Sequence, residues 1–356
     1  MPKHWDGDLR AMQMLPLEAK ISMTKLRIQA WYESWKRYEI YNMNSGKTRF
    51  VTSTEEPPLK EGDFIESIRD GQVYVSFSGG KDSTVLKHIV DSMYDDVPSV
   101  FVNTGLEYPE LQKFAMSQPN VITVRPEMRF DEVLKTHGYP VISKEVAKMV
   151  SEANRGVEHA LCAFEGKRVN GETSKYRQRF GKYSYLVNSD IPVSHKCCDV
   201  MKKTPAKKYE KETGRVPFIG TLASESVLRR KAWYQNGCNA FDAVRPTSQP
   251  LAFWTEQDIL EYLKSYAVPY APVYGEIVET NDGLKLSNLD RTGCIFCMFG
   301  CHLEKEPNRF QKLKETHPRQ YEYCIRGGEM VDGKWQPSKE GLGLGKVLDY
   351  IGVKYD

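Results

Sequence analysis

The chain has 356 residues, of which 40% are hydrophobic and 27% charged, and 50 Lys and Arg against 47 Asp and Glu leave a formal net charge of +3. This composition supports a buried core and excludes a disordered chain, and the length allows one large domain with appendages or two domains. So small a net charge neither demands nor excludes nucleic acid, which leaves any basic surface to be argued locally. Met1 to Leu15 carries charges of both signs without an apolar run, and no later stretch approaches a membrane span. The expectation is a cytoplasmic protein with no membrane partner. Its eight cysteines then point to metal binding or redox chemistry rather than disulfides.

Leu17 to Tyr38 reads as one helix, with Leu26, Ala30, Trp31, Trp35 and Tyr38 at helical intervals among Lys25, Arg27, Lys36 and Arg37. The favoured reading packs this aromatic stripe on the main domain; a stacking surface for nucleic acid is the competing one. Ile40 to Thr54 reads as a strand pair about Asn44-Ser45-Gly46, and Glu55 to Gly62, with Pro57-Pro58, as a loop. Residues 1–70 are thus expected to form a helix and β-hairpin extension.

Val73 to Leu86 reads V-Y-V-S-F-S-G-G-K-D-S-T-V-L. A β-branched and aromatic run is broken by Ser78, Gly79 and Gly80, and a helical pattern starts near Asp82. A strand, a glycine turn and a helix start gather backbone N–H groups and a positive helix end at one point, which suits an anion, most often a phosphate. Gly79 and Gly80 permit close approach, Ser78 and Ser83 offer hydroxyls, and Lys81 adds charge. The Walker A spacing is absent. S-G-G-K-D-S instead resembles the PP-loop of the adenine nucleotide α-hydrolase superfamily.

Ser99 to Asn103 is a second strand, Pro109 to Ser117 a helix and Val121 to Val124 a third strand. This alternation predicts an α/β fold, a Rossmann-like (adenine nucleotide α-hydrolase-like) parallel sheet with helices on both faces. Ligands sit beyond the carboxyl ends of such strands, which adds Thr104, Gly105 and Glu107 to the candidate nucleotide site beside Ser78, Gly79, Gly80, Lys81, Asp82 and Ser83. Phe130 to Pro140 reads as a loop and Ser143 onward as a helix. Residues 151–190 are basic, and read equally well as an ordered lid or a solvated surface. Pro217 to Gly220 is a fourth strand. Thr255 to Tyr266 is a helix opened by a Thr255–Asp258 capping box. Arg309 to Arg326 is helical with a break at Pro318, and the tail beyond Gly327 is loop-like. The domains expected are 1–70, a nucleotide-binding α/β domain over 71–255, and a cysteine-bearing helical region over 256–356.

Cys197 and Cys198 are adjacent; Cys294 and Cys297 form a C-x-x-C pair, closely followed by Cys301 and His302. Two thiol pairs can complete four-fold sulfur ligation of an iron–sulfur cluster or a zinc ion, or act as redox dithiols. Adjacent cysteines are unusual for zinc knuckles, which favours iron–sulfur. Cys162 and Cys238 read as small apolar residues. Cys301, His302 and Cys324 are left over as spare ligands or, for the thiols, reactive groups.

Four segments together resemble the phosphoadenylyl-sulfate (PAPS) and adenylyl-sulfate (APS) reductases. They are S-F-S-G-G-K-D-S at 76–83, V-N-T-G-L-E-Y-P-E at 102–110, C-C-x-x-x-K-K-x-P at 197–205 and E-S-x-x-R at 225–229. The resemblance implies a [4Fe–4S] cluster on Cys197, Cys198, Cys294 and Cys297, with zinc as the alternative. It also implies a sulfonucleotide bound by Lys81, Arg229 and Lys202 or Lys203, and a thioredoxin-like reductant. Three departures stand out. The reductases' C-terminal E-C-G-x-H is absent and leaves Cys324 as candidate nucleophile, one arginine is missing from the segment starting at Gly220, and Asn103 replaces an aspartate. These features also resemble ATP-dependent sulfur-inserting enzymes of DNA phosphorothioation and tRNA thiolation. That resemblance implies ATP with Mg²⁺ near Asp82 or Glu107, and nucleic acid on the 151–190 stretch and the Trp31/Trp35 helix.

Overall fold

The computed structural model describes residues 4–356. Chain contacts gather into two compact units, each discontinuous in sequence: one of residues 1–103, 108–124 and 206–292, the other of residues 104–107, 125–205 and 293–356.

The first unit opens with helices Asp6–Gln13 and Leu17–Ser34 and an antiparallel sheet of β1 (Lys36–Asn42), β2 (Lys47–Ser53) and β3 (Asp63–Arg69), ordered β2-β1-β3. The helix expected to reach Tyr38 therefore stops at Ser34. From Lys36 the sequence K-R-Y-E-I-Y-N alternates, and Tyr38 and Ile40 are buried on one face, a period of two that suits a strand rather than a helix. The strand β3 and the Asp6–Gln13 helix were not legible in the sequence.

Next comes a six-stranded sheet of β4 (Val73–Phe77), β5 (Ser99–Val102), β6 (Val121–Val124), β7 (Val216–Ile219), β8 (Asn239–Ala240) and β9 (Thr247–Ser248). Its order is β6-β5-β4-β7-β9-β8, parallel throughout except for the β8–β9 pair. Counting only the parallel strands in chain order, this is 3-2-1-4-5, a Rossmann-like arrangement whose direction of winding reverses between β4 and β7. Helices cover both faces, as the alternation predicts. On one face Val73, Val75 and Phe77 join Val85, Leu86 and Ile89 of helix Lys81–Asp91 and Ile28 and Trp31 of the second helix. On the other, Tyr74 and Val100 pack against Tyr209 of helix Thr204–Thr213.

Trp31 is 0% exposed and Trp35 9%, so these rings belong to the core and the stacking-surface reading of that helix is withdrawn. Lys20 of the same helix is also buried, and its ammonium lies 2.7 Å from both carboxylate oxygens of Asp258. Asp258 in turn caps helix Glu256–Ser265 through Thr255. The unit ends in a hairpin of β10 (Ile277–Thr280) and β11 (Gly283–Leu286).

In the second unit, Phe130–His137 is a helix where a loop was expected; Gly138, at φ 102°, stops it with its position tight against the Pro192 carbonyl. Helices Lys144–Ala153, Glu158–Phe164 and Lys175–Gly181 follow. The 151–190 stretch is thus ordered, and most of its cations are satisfied locally. Lys167 pairs with Glu165, Arg168 with Glu172 and Arg179 with Glu145, while Arg177 donates to the carbonyls of His159 and Lys167. The break at Pro318 divides helices Arg309–Thr316 and Pro318–Ile325. Beyond Gly327 the expected loop is instead a hairpin of β12 (Glu329–Val331) and β13 (Lys334–Gln336) and a helix, Leu344–Tyr350. Among the described residues no helix is long and apolar enough to cross a membrane.

Candidate active site

The turn after β4 stands at the carboxyl edge of the parallel sheet, where winding reverses. Gly79 takes φ +73°, and a Cβ there would come within 2.9 Å of Leu111 and 3.0 Å of Ala115, so only glycine fits. Ser83 Oγ accepts from the Ser78 amide at 3.2 Å and lies 3.0 Å from Ser78 Oγ, which itself accepts from the Gly80 amide at 3.3 Å. The Lys81 amide, first of its helix, donates to the phenol oxygen of Tyr274 at 3.2 Å, and Tyr274 is paired with Thr292 Oγ1 at 2.6 Å. The loop amides thus converge on hydroxyl oxygens, the neutral counterpart of an oxyanion cradle.

Charge is concentrated at the same point. Lys81 is 5% exposed, and its ammonium lies 3.4 Å from Asp82 and 3.2 Å from Glu256. Burial pushes that ammonium down, but Asp82 and Glu256 outweigh it and hold the group above the usual lysine range. Asp82 is pushed up by its own burial, against the pull of Lys81. Its Oδ1 is buried, and the Lys81 ammonium 3.4 Å away is its ion-pair partner. Arg229 lies in helix Val227–Asn236, whose N-cap Ser226 accepts from the Arg229 amide. Arg229 and Arg291 both pair with Glu225, and both act electrostatically on Asp82. Burial, then Arg291, lowers the Arg229 guanidinium's affinity for its proton.

Gly220, just past β7, abuts this helix start: a Cβ on it would sit 2.9 Å from Ser83 Cα and 3.0 Å from the Asp82 carbonyl oxygen. The structure thus brings Ser78, Gly79, Gly80, Lys81, Asp82, Ser83 and Arg229 together. Sequence reasoning missed Glu256, Tyr274, Arg291 and Thr292, none of which carries a local motif.

A second cluster lies wholly within the other unit. Cys197 and Cys198 open the turn that leads into Asp199–Lys203, and Cys294 and Cys297 lie on one loop, the Cys297 amide donating to the Cys294 carbonyl at 3.1 Å. The Ile295 amide donates to Leu106 at 2.8 Å, which ties that loop to the 104–107 turn, and Arg309 donates to the Cys297 carbonyl at 2.9 Å. Within the turn, Gly105 takes φ +72°, and Glu107 accepts from the Thr104 amide and hydroxyl.

Cys294 is pushed up to about 11, by burial first, with Lys202 opposing and Cys297, Glu107 and Cys198 adding to the rise. Burial raises Cys197 and Cys297 too, and Cys198 adds to both. Lys202 is pulled down by burial but raised overall by Cys294, Glu107 and Cys198. Three perturbed thiols, each raised further by Cys198, around one ammonium are a donor set suited to a thiolate-ligated cofactor. Among the described residues, however, no three His, Cys, Asp or Glu side chains are gathered closely enough to hold a metal ion as they stand.

The remaining thiols divide clearly. Cys238 lies in the core of the first unit. Cys301 is 1% exposed, donates to the Met298 carbonyl at 3.0 Å and is pushed up to about 12 by burial. Cys324 is 0% exposed on the inner side of helix Pro318–Ile325, and burial alone drives its thiol far up. A nucleophile needs an accessible thiolate; Cys324 is neither, and its candidacy as attacking residue is withdrawn.

Comparison with known proteins agrees with these motifs. The family model for the phosphoadenosine phosphosulfate reductase domain matches residues 72–182 and 144–299. An uncharacterized protein of Methanocaldococcus jannaschii is 24% identical over 251 residues, 69% of this chain and 45% of that protein's length. An adenosine 5′-phosphosulfate reductase of Bacillus cereus is 21% identical over 249 residues, 68% of this chain and 82% of that enzyme. The phosphate complex of a PAPS reductase from Candida auris aligns with 56% of this chain and 75% of its own at 16% identity, with a TM-score of 0.31.

Proposed function

The chain belongs to the phosphoadenosine phosphosulfate reductase domain family, and from that premise we propose that it is an enzyme of sulfonucleotide chemistry. In this reading the 78–83 loop grips the charged end of an adenine nucleotide. The observation that carries it is the Lys81 helix start: a nearly buried ammonium and converging amides on a glycine turn, with two arginines on the flank. Lys81 and the loop amides neutralise sulfate or phosphate oxygens, and Arg229 and Arg291, both paired with Glu225, add positive potential shared between that carboxylate and the ligand. The reductase reading has APS or PAPS as substrate and sulfite with AMP or its 3′-phosphate as products. Because Cys324 is enclosed, the attacking thiolate comes from a dithiol partner of thioredoxin type. Its first sulfur bonds to the sulfonate as the nucleotide leaves, and its second displaces sulfite and closes the disulfide.

Cys197, Cys198, Cys294 and Cys297 would hold the [4Fe–4S] cluster, or zinc, that the resemblance implies; the upward push on Cys197, Cys294 and Cys297, to which Cys198 adds in each case, supports that assignment. When bound, such a group would tie these two cysteine segments to one sulfur-ligated centre. Lys202 contributes a half-buried cation that acts on the same thiols.

The decisive assay is sulfite release from APS or PAPS with a dithiol reductant, beside calorimetric titration of APS, PAPS and ATP. Lys81→Ala is expected to weaken nucleotide binding by about ten- to a hundredfold, the worth of a charge-assisted contact. Cys324→Ala is expected to keep sulfite release. No heat with any of the three nucleotides would remove the reading altogether.

A second reading is ATP-dependent sulfur transfer, in which the loop holds pyrophosphate with Mg²⁺ and an adenylated acceptor takes up sulfur. It is favoured by the enclosed Cys324 and by Asp82, a carboxylate at the helix start that offers an oxygen donor of the kind a hard cation takes. Conversion of ATP to AMP and pyrophosphate, without sulfite release from APS or PAPS, would select it.

A further inference from the structure

The β1–β3 sheet of the first unit presents a face that the nucleotide loop does not use. Residues paired across an antiparallel sheet share a face. Glu39 is opposite Phe50, Arg37 opposite Thr52 and Arg69, and Tyr41 opposite Phe64. Phe50 is 54% exposed and Phe64 42%, so two large rings are left to solvent on this one face. The Arg37 guanidinium lies over the Phe50 ring at 3.9 Å, and Tyr41 pairs with Phe64 at 5.5 Å.

Beside Phe50 this face borders a cavity of about 640 Å³, closed on its far side by the turn after helix Thr204–Thr213. There Gly214 is packed so closely that a Cβ would meet Thr52 Oγ1 at 2.5 Å. Arg37, Lys211 and Arg215 line the cavity with Phe50 and Gln72, against one carboxylate, Glu212. Arg215 is anchored by donating to the carbonyls of Gly71 and Val73, so its position is fixed by the amino end of β4. This is the edge of the parallel sheet opposite the phosphate loop, which leads from the carboxyl end of β4.

Exposed aromatics beside fixed cations suit bases that stack and phosphates that pair. We propose that this face and cavity form a binding site for single-stranded nucleic acid, with a base stacked on Phe50 beside Arg37 and phosphates on Lys211 and Arg215. A second ring, Phe64, lies two strands away, about 10 Å across the sheet, which gives the strand a further platform that a lone nucleotide would not reach. Charge complementarity, three cations to one anion in the cavity, selects a polyanion as occupant. The site is separate from the nucleotide loop and does not depend on the reading of that loop.

The test is fluorescence anisotropy of the intact protein with labelled dT and U oligonucleotides of twenty nucleotides at 50 and 200 mM salt, with AMP titrated as a competitor. Saturable binding that weakens with salt is expected. Phe50→Ala should weaken it at least about tenfold, the range of one lost base stack, and Lys211→Gln should reduce the logarithmic salt slope by roughly 0.7, one phosphate contact on a single strand. Phe50 is exposed, and an unchanged melting temperature for Phe50→Ala would confirm that it folds. Should that variant melt early, Arg37→Gln replaces it, with the same tenfold loss expected. No binding at 50 mM salt overturns the proposal, as does binding indifferent to the Phe50 or Arg37 and Lys211 substitutions. Displacement of the bound oligonucleotide by AMP at a matching concentration would also overturn it, since the strand would then be held at a mononucleotide site.

Discussion

The Lys81 amide donates to the hydroxyl of Tyr274 at 3.2 Å across 193 residues of sequence. The bond fills the position at a helix N-terminus that an anion oxygen would take. Tyr274 is 2% exposed, and burial pushes its phenol up, so it stays neutral at physiological pH. A neutral oxygen satisfies the amide without competing strongly with a charged ligand. Tyr274→Phe should therefore tighten nucleotide binding by about three- to tenfold, the worth of one competing neutral hydrogen bond. Titration calorimetry with ATP and APS checks it. Unchanged affinity would mean that the ligand does not use the Lys81 amide.

Gly220 illustrates a different constraint, because its conformation is available to any residue and its neighbours are not. Main-chain atoms of Asp82 and Ser83 stand 2.9–3.0 Å from where a Cβ would go, and backbone cannot swing aside as a flexible side chain would. Gly220→Ala should displace the helix start, cost about 1–3 kcal/mol in stability as an overpacked contact and weaken nucleotide binding with it. Chemical denaturation beside the same titration separates the two effects. A fully stable variant with native affinity would show the contact to be slack.

For the cysteine cluster, the expected sign with pH is fixed by chemistry. Ligation takes thiolates, whereas burial holds Cys294 up at about 11, so metal uptake must release protons and apparent affinity should rise with pH. Anaerobically purified protein should show a broad brown absorbance near about 400 nm from thiolate-ligated iron, and Cys198→Ser or Cys294→Ser should abolish it. A colourless protein carrying zinc would assign that ion instead.

Lys20 and Asp258 bind the second helix to helix Glu256–Ser265. Lys20 is 2% exposed and Asp258 7%, with the charges 2.7 Å apart. Lys20 donates also to the Gln13 carbonyl, and Asp258 accepts from Thr255. Removing one partner strands the other, so Lys20→Met should cost roughly 3–5 kcal/mol. The double variant with Asp258→Asn should recover part of that. Urea melts of the three variants test it, and strict additivity would argue against the coupling.

Acid should loosen the β1–β3 sheet. Asp63 is held at about 2 by the Arg49 guanidinium first, then the Lys60 amide and Asn42. A carboxylate lowered from about 3.9 in the unfolded chain stabilises the fold fully above that value and loses its contribution as pH falls toward 2. Hydrogen exchange in β1–β3 should accelerate over that window, and Asp63→Asn should flatten the dependence.

Elements written in local chemistry were legible: the alternation of strands and helices, the glycine turn at 78–80, and the Thr255–Asp258 cap, which forms as expected. Helix Phe130–His137 was missed because the Gly138-Tyr139-Pro140 run marks its end rather than a loop around it. Trp31 and Trp35 fit either a stacking surface or a core, since periodicity reports which residues share a face but not what covers that face.

What the sequence alone determined was the glycine turn at the start of the Lys81 helix and the thiol pairs, because each needs neighbours only a few residues apart. Tertiary structure alone decided that Tyr274, Glu256 and Arg291 join Lys81 and Asp82, that Cys324 is enclosed, and that Phe50 and Phe64 are left exposed. Those outcomes follow from burial and from electrostatics between distant segments. Both depend on which surfaces meet when the chain closes, and no spacing along it records that.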